Sequence, residues 1–469
     1  MDTTEVRPTE NKMGTMPVNR LLISMSLPMV VAMVIQALYN IVDSLFVARL
    51  GEDALTAVSL AFPIQNAMIA IATGTGVGIN ALLSKSLGEK NFKEANRTAN
   101  NGIFLGFLSY LLFLVFGLIG SRWFFAIQTD IGPIVDYGFD YLFIITVAGF
   151  GVFGQITFDR LLQATGRSFY TMLTQGTGAI INIILDPIFI FGLFGFPALG
   201  VKGAALATVI GQWIAMALSI IFNLRFNHDI RISLKGFRPN LFTIKGIYSV
   251  GVPSIIMASI GSVMNFGVNK ILLALSSTAA AVFGVYYKLQ SFIFMPVFGI
   301  NNGLVPIIAY NFGARKKDRI KKSIICGFAY ATAIMVLGFL IFQIFPARLL
   351  ALFNASDTMI EIGVRALRVI SISFIGAGFC IITSTVLQAL FNSKLSMFVS
   401  IARQLVVLLP AAFILSEIGG LRLVWWSFPI AEIASVCLSA VFLRKVYNKE
   451  VRHLSPDWAE TPIYPESRP

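Results

Sequence analysis

Long apolar runs alternate with short polar segments along the whole chain, and each run is long enough to cross a bilayer. About 20 apolar residues, rising 1.5 Å each in a helix, span a hydrocarbon layer of roughly 30 Å. Twelve runs of this kind lie at approximately 21–47, 54–83, 99–120, 134–158, 169–194, 203–224, 246–273, 279–310, 323–345, 362–390, 396–416 and 424–443. In the first run Gln36, Tyr39, Asn40 and Asp43 fall at helical offsets 0, 3, 4 and 7, which places them on one stripe. Val34, Ile35, Leu38, Val42 and Leu45 cover the rest of that turn sequence. The pattern predicts a helix whose polar side faces protein. Holding Asp43 inside a membrane costs about 2.5 to 3.5 kcal/mol on the translocon scale, so its presence there points to function.

The same pattern occurs twice. Residues 225 apart match without a gap over much of the chain: Pro28 with Pro253, Asn40 with Asn265, Gln65 with Gln290, Gly74 with Gly299, Gly88 with Gly313 and Gln163 with Gln388. Six spans per half is an even number, so both halves enter the membrane from the same side as parallel repeats. The expected fold is an all-α polytopic membrane protein of 12 transmembrane helices. They form two six-helix bundles related by a pseudo-twofold axis along the membrane normal. The expected boundaries are an N-terminal tail over 1–19, an N-lobe over 20–224, a linker over 225–245, a C-lobe over 246–447 and a polar C-terminal tail over 448–469, unstructured beyond Asn448.

Composition agrees with a membrane protein: 56% of residues are hydrophobic, only 13% are charged, and the mean hydropathy is +0.79. The net charge of +13 does not point to nucleic acid, because the basic residues sit in connections between spans. Alternate connections carry them, as in Lys85–Arg97 and Arg315–Lys322, with Arg160 and Arg167 placed after span four. The positive-inside rule therefore puts both ends of the chain in the cytoplasm of a cell whose inner membrane holds the protein. Cys326, Cys380 and Cys437 lie in apolar spans without metal spacing. No glycine-rich stretch leads into GK[ST], so no nucleotide-hydrolysing engine and no cofactor is expected. TGTGVGINA at 73–81 lies inside an apolar span and reads as helix packing.

Candidate chemistry rests on few polar groups. Asn182 and Asp186 share a helix face at a spacing of four in NIILDPIFIF, and Thr208 sits among small residues in span six. With Asp43 they form a set of hard oxygens that suits a proton or Na+ and not zinc or copper. The second half has Val268, Val407 and Ala411 at the positions related to Asp43, Asn182 and Asp186, so the ion site is expected in the first half alone. Lys288, Gln290 and Glu432 lie within later spans and, with Gln36 and Asn40, are candidates for substrate contact. Asp136, Asp140 and Asp159 fall nearer span ends, where solvated side chains are expected.

The chain resembles the multidrug and toxic compound extrusion (MATE) transporters. The likeness is carried by LPMVVAMVIQALYNIVDSLFVARLG, GVGINALLSKSLGEKN, LQATGRS, NIILDPIFI, GVKGAALATVIGQ and FMPVFGINNGLVPIIAYNFGARKKDRIK. It implies antiport, with organic, often cationic, compounds leaving the cell in exchange for protons or sodium. In the DinF-like branch, to which the motif is similar, the resemblance assigns ion coupling to Asp43, Asn182, Asp186 and Thr208, with Tyr39 beside them. The carboxylates that the NorM-like branch places in helices seven, eight and ten are missing. Beyond substrate and membrane lipid no partner is expected, and the protein is read as a monomer. Two rivals remain in the sequence: a lipid-linked oligosaccharide flippase of the same superfamily, and an intramembrane aspartyl enzyme using Asp43 and Asp186.

Overall fold

The computed structural model describes residues 10–233, 235–353 and 355–454. A short helix α1 (Lys12–Thr15) leads into α2 (Val18–Ala48), α3 (Glu52–Gly88), α4 (Phe92–Ala126), α5 (Gly132–Val147), α6 (Phe150–Ala164), α7 (Ser168–Phe191) and α8 (Val201–Phe226). The second half runs through α9 (Leu241–Leu275), α10 (Ser277–Gly313), α11 (Lys317–Ile344), the short α12 (Pro346–Ala351), α13 (Asp357–Ser371), α14 (Ser373–Ala389), α15 (Ser393–Ile401), α16 (Leu409–Gly419) and α17 (Ser427–Val446). Ten spans are continuous, and α5–α6 and α13–α14 form two more, bent by 43° and 44°. Both bends sit beside small residues, Gly149 in one and Ser371 and Ser373 in the other, where a helix most readily breaks. Span eleven joins α15 to α16 through a wide π turn at Ala402–Leu408, just ahead of Pro410, which has no amide to return to Val406.

The repeat is visible in the element boundaries. Glu52 and Ser277, Gly88 and Gly313, Phe92 and Lys317, and Ser168 and Ser393 begin or end equivalent helices, each pair 225 residues apart. Even the left-handed turn residues correspond: Lys90 (φ 57°) with Arg315 (φ 55°), and Gly166 (φ 84°) with Phe391 (φ 60°).

The two bundles meet mainly through α2, α3, α9 and α10, and their closest backbone approaches lie toward one face. The buried residues of α3 crowd between Met68 and Gly88, those of α10 between Phe294 and Asn311, and those of α9 between Thr243 and Ser254 at its start. This is the face that carries Lys85, Lys90 and Arg315 to Lys322. Toward the opposite face Leu38, Ile41 and Leu45 of α2 and Leu55 and Phe62 of α3 are exposed, so the bundles part there. Glycine sets the close approach. A Cβ on Gly88 would strike the Tyr310 carbonyl, and one on Gly313 would strike the carbonyl of Lys85, its repeat-related counterpart. Within TGTGVG, Gly74 and Gly78 face the backbone of α9, while Gly76, on the other side of α3, leaves room for the Arg160 side chain.

The connection between the halves is held against α4 by three amides. Asn96, Asn100 and Asn101 accept from the backbone N–H groups of Arg231 (2.6 Å), Ser233 (3.1 Å) and Asn240 (3.0 Å). The described part of the N-terminal tail packs against the bundles. Met13 is fully buried, Asn11 donates to the Thr165 carbonyl at 3.0 Å, and Arg319 donates to the carbonyls of Met13 and Met16 at 2.9 and 2.8 Å. Residues 10–16 thus touch both halves. The C-terminal end also stays helical past Asn448, through a π turn over Tyr447–Val451 with Val451 buried; residues 1–9 and 455–469 of the two tails lie outside the described residues.

Candidate ion and substrate site

The polar stripe of α2 and the Asn–Asp pair of α7 come together inside the first bundle because α2 and α8 both pack along α7. Asn182 and Asp186 are buried, one helical turn apart. The Asn182 amide donates to Thr208 Oγ1 of α8 at 3.2 Å and more weakly to Asp186 Oδ1 at 3.4 Å. Pro187 lies inside α7 and lacks an N–H, which leaves the Ile183 carbonyl without its helical donor. Asp43 is within Coulombic range of Asp186, and Tyr39 and Tyr141 are within range of both carboxylates.

Counting donors shows what this arrangement lacks. Asp43 Oδ1, Asp186 Oδ2 and Asn182 Oδ1 are buried, and none has a hydrogen-bond partner. Buried acceptors are nearly always paired, and leaving a charged one unpaired costs about 1 to 3 kcal/mol or more. Two carboxylates in Coulombic range also repel each other. A single positive species relieves both problems: a proton on one carboxylate ends the repulsion and supplies one donor, and a small hard cation would be held by carboxylate, amide and hydroxyl oxygens. Among the described residues no three His, Cys, Asp or Glu side chains gather as a transition-metal centre.

A cavity of about 250 Å³ opens beside this cluster and runs along the first bundle to its boundary with the second. Gln36, Tyr39, Asn182 and Thr208 line one part of it, and Asp159, Arg160, Gln163 and Asn302 line another. The structure corrects the reading of Asp159 as a solvated span-end residue and of Arg160 as a connecting-loop charge. Both belong to α6 and are buried, because the bent span extends to Ala164. Asp159 accepts from Thr174 Oγ1 (2.7 Å), from Gln175 Nε2 (3.1 Å) and from the Ser219 hydroxyl. Arg160 donates to Gln163 Oε1 at 2.9 Å and crosses between the bundles to Asn302 Oδ1 of α10 at 3.0 Å. Adjacent opposite charges inside an apolar run were the only sequence signal for them.

The remaining candidates are dispersed. Asn40 is exposed, and its backbone carbonyl accepts from Ser44. Lys288 is exposed on α10 and Gln290 is half-buried; neither lines the cavity. Instead Gln65, the repeat counterpart of Gln290, donates to Tyr141 Oη at 2.9 Å beside the carboxylates. Glu432 is buried in the second bundle and pairs with Arg403 of the π turn at 3.2 Å. Val268, at the position related to Asp43, is buried in an apolar cluster.

Comparison with known proteins agrees with this architecture. The MatE family profile matches residues 28–188 and again 253–414, one match in each repeat. The chain is 29% identical over 432 residues to the multidrug export protein MepA of Staphylococcus haemolyticus, covering 90% of this chain and 93% of that one. It is 26% identical over 435 residues to an FAD transporter of Shewanella oneidensis, covering 89% and 92%. Among solved structures, an outward-facing multidrug resistance MATE family transporter of the MOP superfamily superposes with a TM-score of 0.88 at 23% identity, over 96% of this chain and 99% of that one. A MATE in a bent conformation superposes at 0.85 and 23%, over 92% and 97%. With both repeats matched across two bundles of six spans, the chain belongs to the MatE family and is a membrane transporter, not an enzyme.

Proposed function

We propose that the protein is a secondary active multidrug efflux transporter of the inner membrane. It exchanges organic, often cationic, compounds for protons or sodium ions by alternating access. The observation that carries the reading is the trio of unpaired buried oxygens on Asp43, Asn182 and Asp186, beside a polar cavity. Asp43, Asp186, Asn182 and Thr208 hold the ion in this reading, and Tyr39 closes the site. With the basic face in the cytoplasm, the parted face opens outward. Binding of the ion in that state neutralises one of the two carboxylates, ends their mutual repulsion and lets α2 repack against α7. The ion drives the change only through its different affinity for the two states. The apolar C-lobe positions leave one coupling site, in keeping with the DinF-like motif. The MepA relatives support the substrate class.

A second reading of the substrate is favoured by Arg160, a buried cation on the cavity wall, together with the relative named as an FAD transporter. In that reading an anionic, nucleotide-like compound is carried. Uptake into inside-out vesicles under an imposed pH gradient or an imposed sodium gradient tests both, using an aromatic cation and a flavin dinucleotide. Uphill uptake lost in Asp43→Asn is the expected result, and its ion names the coupling. Uptake that is indifferent to both gradients overturns the antiport reading.

A further inference from the structure

At the basic face an open groove of about 540 Å³ lies between the start of α2 and the first turns of α11, where the two halves adjoin. Pro17, Val18 and Asn19 form one wall; Lys321, Lys322 and Ile325 stand on the other. Arg319 and Asp318 also reach the groove, but Arg319 is engaged with Asn311 and the carbonyls of Met13 and Met16. Lys321 and Lys322 are exposed and form no ion pair among the described residues, and Asp318 is the single carboxylate present.

The repeat-related region of the first half lies between the start of α9 and α4, and there the linker runs against α4, held by Asn96 and Asn100 on its backbone amides. At the related positions α11 carries Lys321 in place of Asn96 and Ile325 in place of Asn100, while Lys322 replaces Arg97. Amides that seat a neutral backbone have become a cation and an apolar side chain. A ligand that matches these walls is anionic at the surface and apolar one turn deeper. Two exposed stripes continue the groove in that direction: Ile325 and Ala329 below Lys322 on α11, and Ile23 and Leu27 below Asn19 on α2. Tyr330 donates its hydroxyl to Asn19 and ties the two helices together at that depth.

We infer that this groove is a binding site for an anionic phospholipid of the leaflet at the basic face. Its phosphate lies on Lys321 and Lys322, and an acyl chain lies along Ile325 and the α2 stripe. A lipid seated there touches both halves of the transporter, so its occupancy is coupled to their separation. Juxtamembrane lysines attract anionic lipid at the surface, and here two of them converge above an apolar path.

Native mass spectrometry of the full-length protein, purified in detergent and offered equal amounts of phosphatidylglycerol and phosphatidylcholine, tests the site. One phosphatidylglycerol is expected to be retained in preference, with affinity falling about five-fold for each lysine lost and about thirty-fold in K321Q/K322Q. K321R/K322R should retain the lipid, and so should K235Q/R238Q, which changes exposed charges of the linker. Equal retention by K321Q/K322Q and wild type overturns the proposal. So does displacement of the lipid by water-soluble glycerophosphoglycerol at equal concentration, which would make the groove a site for a free phosphate ester.

Discussion

Replacing Asp43 with asparagine is expected to stabilise the protein while it abolishes gradient-driven transport. The reasoning starts from the three buried oxygens that have no donor, on Asp43, Asn182 and Asp186. Asp43→Asn removes one charged acceptor from that set, ends its repulsion with Asp186, and adds an N–H₂ donor to the cluster. Relief of one unsatisfied charged group is worth about 1 to 3 kcal/mol. The wild type should recover the same stability when its own ion is bound, by about 2.7 kcal/mol at a concentration one hundred times the dissociation constant. The gap between mutant and wild type is therefore expected to close on adding the coupling ion, sodium or acid, and to be widest in its absence. A thiol-reactive dye reads this directly, because Cys380 is buried and becomes reactive on unfolding while Cys437 is already exposed. An Asp43→Asn protein that melts below the wild type in the absence of sodium at high pH, or that still concentrates substrate against a gradient, would refute the reasoning.

Arg160→Met removes a charged hydrogen bond between the bundles and leaves Gln163 and Asn302 unpaired, so the arrangement closed at the basic face should lose about 1.5 to 3 kcal/mol, read as longer distances between spin labels on α3 and α10. Gly88→Val sets side-chain carbon against the Tyr310 carbonyl and should lengthen the same distances. Asp159→Ala removes the acceptor shared by Thr174, Gln175 and the buried Ser219 hydroxyl and leaves Arg160 without its neighbouring charge; a loss of about 1 to 3 kcal/mol is expected in thermal melts, with Asp159→Asn intermediate. The Glu10 carboxyl is held below its ordinary value of 4.5 by the hydrogen bond from Lys316, so this contact is fully present above pH 4.5 and is lost as pH falls through the lowered value. Glu10→Gln at neutral pH should accordingly raise amide exchange over residues 11–16, as acid does in the wild type.

Much of this protein is written in its periodicities. The length and spacing of apolar runs determined the number of spans, and the 225-residue register determined that two like bundles exist, because hydrocarbon thickness and a helical rise leave few alternatives. The polar stripe of α2 and the i, i+4 pair of α7 were legible for the same reason: a polar group in lipid must be turned toward protein, and helical geometry says which groups turn together. Chain order, however, does not say which helices meet. Only tertiary packing brought Tyr141 and Gln65 to the carboxylates, drew Asp159 and Arg160 from an apparent span end into the cavity wall, and paired Glu432 with Arg403. It also decided that α3 and α10 close on the basic face, where glycine carbonyl contacts permit it, and part on the other. Those outcomes depend on contacts between residues up to hundreds of positions apart, which no local pattern of hydrophobicity encodes.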